Sequence, residues 1–402
     1  MRYLDEFRDP VLAKRLVAQI RRSARRSWTI MEVCGGQTHG LLRYAIDVEL
    51  EGVVHLVHGP GCPVCVTPLE SIDFAQRLAL QPGVLVTSFG DMLRVPGPHG
   101  SLLELKARGA NVRVVYSPLD AVDLARRYPD YQIVFFAVGF ETTAPATALA
   151  VLQAASENLT NFSLLVAHVR VQPAMEALAS MPDSRVQGFL AAGHVCTITG
   201  YASYEAFVER YQLPVVVTGF EPLDLLHGIW ACVRQLEVGS AQVENCYRRS
   251  VRREGNLRAQ QLVGQVYQIC DRPWRGWGII PGGGLQLRPE WREFDAEVRF
   301  ASLLESVVNE PSECRSADVL AGRIKPTECP AFAVRCTPDR PLGAPMVSSE
   351  GACAAYFRYR TACTWCDSLR DSAVADDRLR TTAQRVREDT AAASVRRGYH
   401  ER

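Results

Sequence analysis

A chain of 402 residues, 47% hydrophobic and 22% charged, has apolar surface for two or three cores, which excludes a disordered chain and a disulfide-stapled miniprotein. A formal net charge of +1 leaves no electrostatic footprint for nucleic acid or an anionic membrane. The N-terminus MRYLDEFRDP lacks the apolar stretch of a secretory signal and the most apolar run, Ile133 to Val138, is too short for a bilayer, so a cytoplasmic protein is expected.

Residues 4 to 26 place Leu4, Phe7, Val11, Leu12, Leu16, Val17 and Ile20 at helical spacing, which predicts an N-terminal helical segment over 1–30. Short β-branched runs then alternate with amphipathic stretches: Val53 to Val57, Val84 to Ser88, Val112 to Tyr116, Ile133 to Val138, Leu164 to Val169, Phe189 to Ala192 and Val215 to Thr218. Strand, loop and helix repeated in this way predict an α/β protein with parallel sheets covered by helices. Several of the runs end in glycine-bearing loops, and in open α/β sheets the sites form at those carboxyl ends. Gly139-Phe140-Glu141 echoes Gly219-Phe220-Glu221, each after a valine-rich run, which points to two related α/β domains, expected over 31–130 and 131–285. From 286 to 366 proline, cysteine and arginine dominate, and a small ligand-organised domain is expected there; 367–402 reads as a charged tail.

Thirteen cysteines without an export signal direct attention to metals and redox chemistry, because the cytosol keeps thiols reduced. Cys314, Cys329, Cys336 and Cys353 sit in a proline-rich stretch with none of the closely spaced pairs of a zinc knuckle. Four thiolates suit zinc or an iron-sulfur cluster, and the wide spacing favours the larger object. Cys34 lies in MEVCGGQTHG after an expected strand, with glycines that allow a ligand close to the backbone. Cys62 and Cys65 form a C-x-x-C within GPGCPVCVTP, before a helix expected near Pro68, whose N-terminus would favour a thiolate. His39, five residues after Cys34, is an accessory candidate. Asp91, Glu141 and Glu221, on loops after strands, are read as helix caps before acid/base groups. Cys196, Cys232, Cys246 and Cys270 carry no assigned role, and Cys363 with Cys366 forms a second C-x-x-C at the start of the tail.

The strings MEVCGGQTH, GPGCPVCVTP, SFGDMLRVPG, VGFETTAP and TGFEPLDLL, together with the four-cysteine block, resemble the HypD family of hydrogenase maturation factors over about residues 5 to 360. That resemblance implies two α/β domains of related topology plus an iron-sulfur cluster domain, with the N-terminal helix beside the latter. It implies a [4Fe-4S] cluster on Cys314, Cys329, Cys336 and Cys353, and an iron-handling site of Cys34, Cys62 and Cys65. The implied partners are a HypC-type chaperone, a HypE-type cyanide donor and, indirectly, the [NiFe] hydrogenase large subunit; the implied product is an Fe(CN)2CO unit assembled on a redox-active scaffold. Gln37 stands where some members carry histidine, so no histidine role is carried to that position. The alternatives are an iron-sulfur thiol-disulfide oxidoreductase, which would also pair a C-x-x-C with cluster cysteines, and a zinc-stabilised scaffold.

Overall fold

The computed structural model describes residues 5–304 and 313–361, so Cys363, Cys366 and the expected tail over 367–402 lie outside the described residues. The chain divides into one compact unit over Met1–Ala355 and a second over Tyr356–Arg402, whose described part ends in the π-helical turn Phe357–Thr361. Among the described residues no helix is long and apolar enough to cross a membrane.

The valine-rich runs become parallel strands in two sheets. β1 (Trp28–Glu32), β2 (Val54–His58), β7 (Gly188–Ala192), β8 (Val215–Thr218) and β9 (Val243–Asn245) form the first, in the order β2-β1-β7-β8-β9. β3 (Val84–Ser88), β4 (Val112–Val114), β5 (Gln132–Gly139) and β6 (Phe162–His168) form the second, in the order β4-β3-β5-β6. Each sheet is buried on both faces, as parallel sheets are. Along β5, Val134, Phe136 and Val138 enter one core while Ile133, Phe135 and Ala137 enter the other, the period of two that a strand dictates. In the first sheet Ile30, Leu56, Leu190 and Val216 face one side, and Met31, Val57, Phe189 and Val217 the other.

The expected domain segments do not follow these sheets. After β1 and β2 the chain leaves to build the whole second sheet, then returns for β7, β8 and β9. A boundary at 130 therefore runs between β4 and β5, through one hydrogen-bonded sheet, because residues distant in sequence supply the neighbours that bury each strand. An antiparallel hairpin of β10 (Tyr267–Trp274) and β11 (Gly278–Leu287), with an irregularity between Cys270 and Arg272, adds Tyr267, Leu285 and Leu287 to the second sheet's core.

The N-terminal segment forms a helix, Pro10–Ser23, for local reasons. Asp9 accepts from the N–H groups of Val11 and Leu12, and Pro10 occupies the first turn, where no partner for its missing N–H is needed. Its Leu16 and Ile20 join the first sheet's core, and it packs on the helix Pro222–Glu237, where the apolar partners for those two side chains lie.

Candidate functional site

The thiol loops rise from the carboxyl ends of β1 and β2, which pair in register up to Glu32 and His58. Cys34 precedes the helix Gly35–Arg43, and Cys62 opens the single-turn helix Pro63–Val66. Adjacent parallel strands thus bring the two loops together, and the N–H of Gly35 donates to the carbonyl of Gly61 at 3.0 Å. Cys34, Cys62 and Cys65 share one buried cluster with Phe140, Trp274 and Leu320.

Cys62 and Cys65 are joined as a disulfide, with Cα atoms 5.3 Å apart, the oxidised form of the C-x-x-C. Cys34 remains a free thiol, and burial pushes its pKa far up, toward the neutral form. Its Sγ lies 3.5 Å from Nδ1 of His194, which heads the helix Gly193–Thr199 after β7. Burial lowers the pKa of that imidazole, so it stands neutral beside the thiol. His39 lies on the Gly35–Arg43 helix, half-buried. The imidazole beside the Cys34 sulfur, His194, is 160 residues from Cys34 in sequence, and its only signal was a strand-end glycine in AGHVC. Gln37 is fully buried and donates from Nε2 to the carbonyls of Ala191 and Thr218 at 3.1 and 3.3 Å. It ties β7 to β8, a cross-strand clamp made by its amide.

Cys314, Cys329, Cys336 and Cys353 line one cavity, with Val319, Phe332 and Met346 among its apolar walls. Burial pushes the thiol of Cys353 well up, and the proximity of Cys314, Cys336 and Cys329 adds to that shift. The N–H of Leu342 points at Sγ of Cys336, 3.3 Å away. A Cβ added at Gly343 would sit 2.5 Å from Sγ of Cys314, so the glycine is required by the space that this sulfur occupies. Among the described residues no group of three or more His, Cys, Asp or Glu side chains could hold a single metal ion.

The cavity and the thiol loops meet through two contacts. The helix Ala344–Val347, next to Gly343, packs on the helix Pro63–Val66 that carries the disulfide. A Cβ at Gly35 would lie 2.2 Å from the carbonyl oxygen of Glu350, so the segment leading to Cys353 rests directly on the residue after Cys34. Asp91, in the single-turn helix Gly90–Leu93 after β3, fastens the same segment by accepting from N and Oγ of Ser349 at 2.8 and 2.7 Å. Burial opposes ionisation there, but the bonds from Ser349 and Arg94 hold its carboxyl below the usual range. Glu221 caps the helix Pro222–Glu237, as expected, and also accepts from Arg8.

Fold and site together define a cysteine-centred α/β protein, with a thiol, a disulfide and a four-cysteine cavity converging at sheet ends. The model of the HypD family, described as hydrogenase formation, matches residues 11–360. The hydrogenase maturation factor HypD of Escherichia coli K12 is 44% identical over 368 residues, covering 90% of this chain and 98% of that protein. The HypD proteins of Azotobacter vinelandii and Rhodobacter capsulatus are 46% and 45% identical, covering 89% of this chain in both cases and 97% and 98% of their own lengths. This chain belongs to the HypD family.

Proposed function

We propose that this chain is a [NiFe] hydrogenase maturation factor, a redox-active cytoplasmic scaffold for the Fe(CN)2CO unit. It would work with a HypC-type chaperone, accept cyanide from a HypE-type donor and serve the hydrogenase large subunit. The modified iron stays bound until it is handed over, so scaffold describes the chain better than turnover enzyme. The observation that carries this reading is the contact of the disulfide helix with Ala344–Val347, beside the four-cysteine cavity.

The donor set fits a [4Fe-4S] cluster. Four thiols face one largely apolar cavity, a backbone N–H already addresses one sulfur, and Gly343 leaves room for another. Cluster thiolates stand farther apart than ligands of one ion, so the lack of a single-ion site among the described residues is compatible with it. Cys314, Cys329, Cys336 and Cys353 would hold the cluster, which when bound stores and delivers electrons.

The chain's own side chains do the rest. Two electrons and two protons convert the Cys62–Cys65 disulfide into two thiols, and deprotonation makes them thiolates. With Cys34 these are three soft donors, suited to the iron substrate bearing cyanide and CO. Cys34 gives up its proton as iron arrives, and the neutral His194 imidazole, 3.5 Å away, is positioned to take it. Serine at Cys62 or Cys65 is expected to leave iron and acid-labile sulfide at about four each per chain while hydrogenase maturation is lost. Normal maturation in either variant overturns the scheme.

The disulfide also favours a second reading, a thiol-disulfide oxidoreductase. Against it, Cys62 and Cys65 are only 2% and 1% exposed, which denies a bulky disulfide substrate its line of attack. Turnover of a generic disulfide by the purified protein would select this alternative.

A further inference from the structure

A second cavity, of about 540 Å3, borders the helix Gly193–Thr199, and none of Cys34, Cys62 and Cys65 lines it. While His194 of that helix faces the Cys34 thiol, Val195 and Ile198 line the cavity. Tyr204, Val263, Tyr267 and Leu285 complete an apolar wall drawn from both sheets' helices and from the hairpin. The tyrosines contribute ring faces, since the Tyr267 hydroxyl donates to Oγ1 of Thr147 at 2.8 Å and that of Tyr204 bonds Cys196.

Three ionisable residues, Glu141, Arg170 and Arg288, line this space. Glu141 spends one carboxylate oxygen on the N–H of Val171, at 3.1 Å. Its other oxygen, Oε2, is shielded from solvent and has no hydrogen-bond partner among the described residues. A buried acceptor in that state is costly and calls for a donor that the described chain does not supply. Arg170 donates through Nη1 to the carbonyl of Gly282 at 2.9 Å, and Arg288 through Nε to that of Gly264 at 2.7 Å. A guanidinium has five N–H groups, so both retain donors for an anion. Size, apolar lining and a few fixed polar groups are the attributes of a small-molecule site.

We propose that this cavity binds a small organic acid. Its apolar body lies against the aliphatic and tyrosine walls, its anionic group meets Arg170 and Arg288, and an N–H or O–H of the ligand donates to Oε2 of Glu141. The site is separate from the cysteine centre and stands whether or not the maturation reading holds.

A suitable probe is 8-anilino-1-naphthalenesulfonate, which combines an aromatic body, an anionic group and an N–H. Titration of the full chain, followed by fluorescence, is expected to show one saturable site and a thermal midpoint that rises with probe concentration. Gly264→Phe tests the location, because an added Cβ at this cavity-lining glycine meets nothing within 4 Å and the ring has open space to enter. That variant is expected to unfold at the unliganded midpoint of the parent yet bind at least about tenfold more weakly. Arg288→Gln tests the chemistry independently, with a loss of about tenfold expected for a charged hydrogen bond. Binding that does not saturate, or that neither substitution weakens, overturns the proposal.

Discussion

At position 32 a carboxylate with no exposed surface accepts three hydrogen bonds, from the N–H of Cys34 at 2.8 Å, Nδ1 of His58 at 2.7 Å and the hydroxyl of Thr38. Such a group is stable inside the protein because hydrogen bonds from the protein stand in for those it would make to water. The same bonds fix the Cys34 loop to the end of β2. A second buried residue, His168, has the opposite need. Burial lowers its pKa to about 4, while Nδ1 bonds the carbonyl of Gly139 and Nε2 meets the Thr147 hydroxyl at 3.2 and 2.8 Å. Between pH 6.5 and about 4 the unfolded chain binds a proton at this site and the folded chain does not, so its contribution is present above 6.5 and is lost as pH falls. The slope is about 1.4 kcal/mol per pH unit. Urea denaturation at several pH values is expected to show that extra loss in the parent relative to His168→Gln, and identical pH dependences would refute it.

Elements carry the site through close approach. The segment 343–350 touches the Cys34 loop, the disulfide helix and the cavity, so it is the joint between the cysteine groups. Gly343→Ala inserts a methyl group 2.5 Å from Sγ of Cys314, and that sulfur or its loop must shift. The expected result is about 10-fold weaker retention of iron and acid-labile sulfide, the cost typical of disturbing a metal site's supports, with little change in far-UV circular dichroism. Unaltered retention under chelator challenge would show that the cavity has slack. The strands themselves were legible in sequence: Val84–Ser88 and Val215–Thr218 form where β-branched runs predict them, since buried parallel strands need little besides apolar β-formers. The hairpin was not, because Pro273, Gly278 and the glycines at 282 to 284 interrupt any alternation in β10 and β11. Nor was the redox state of Cys62 and Cys65, which a C-x-x-C leaves open.

At the scale of the whole molecule, the order of elements along the chain hides how the cores are shared. Local patterns specify strands but not partners, so the excursion from β2 into the second sheet and back to β7 could not be read from them. The four-stranded sheet is likewise incomplete on its own. Its core is closed by Tyr267, Leu285, Leu287 and Phe294, 2 to 7% exposed and contributed about a hundred residues after β6 ends. Deleting one buried side chain of this size costs about 2–5 kcal/mol, so losing all four removes roughly 8–20. A whole domain is stable by only about 5–15 kcal/mol. A fragment of residues 1–256 retains every strand of both parallel sheets, and an account based on strands alone would have it fold. The shared core predicts otherwise: the fragment should show no cooperative thermal transition by circular dichroism, and one of residues 1–361 should regain it. A native-like transition in the shorter fragment would mean that the sheet closes its core without the hairpin, and would return the two halves to the independence that their sequence segments imply.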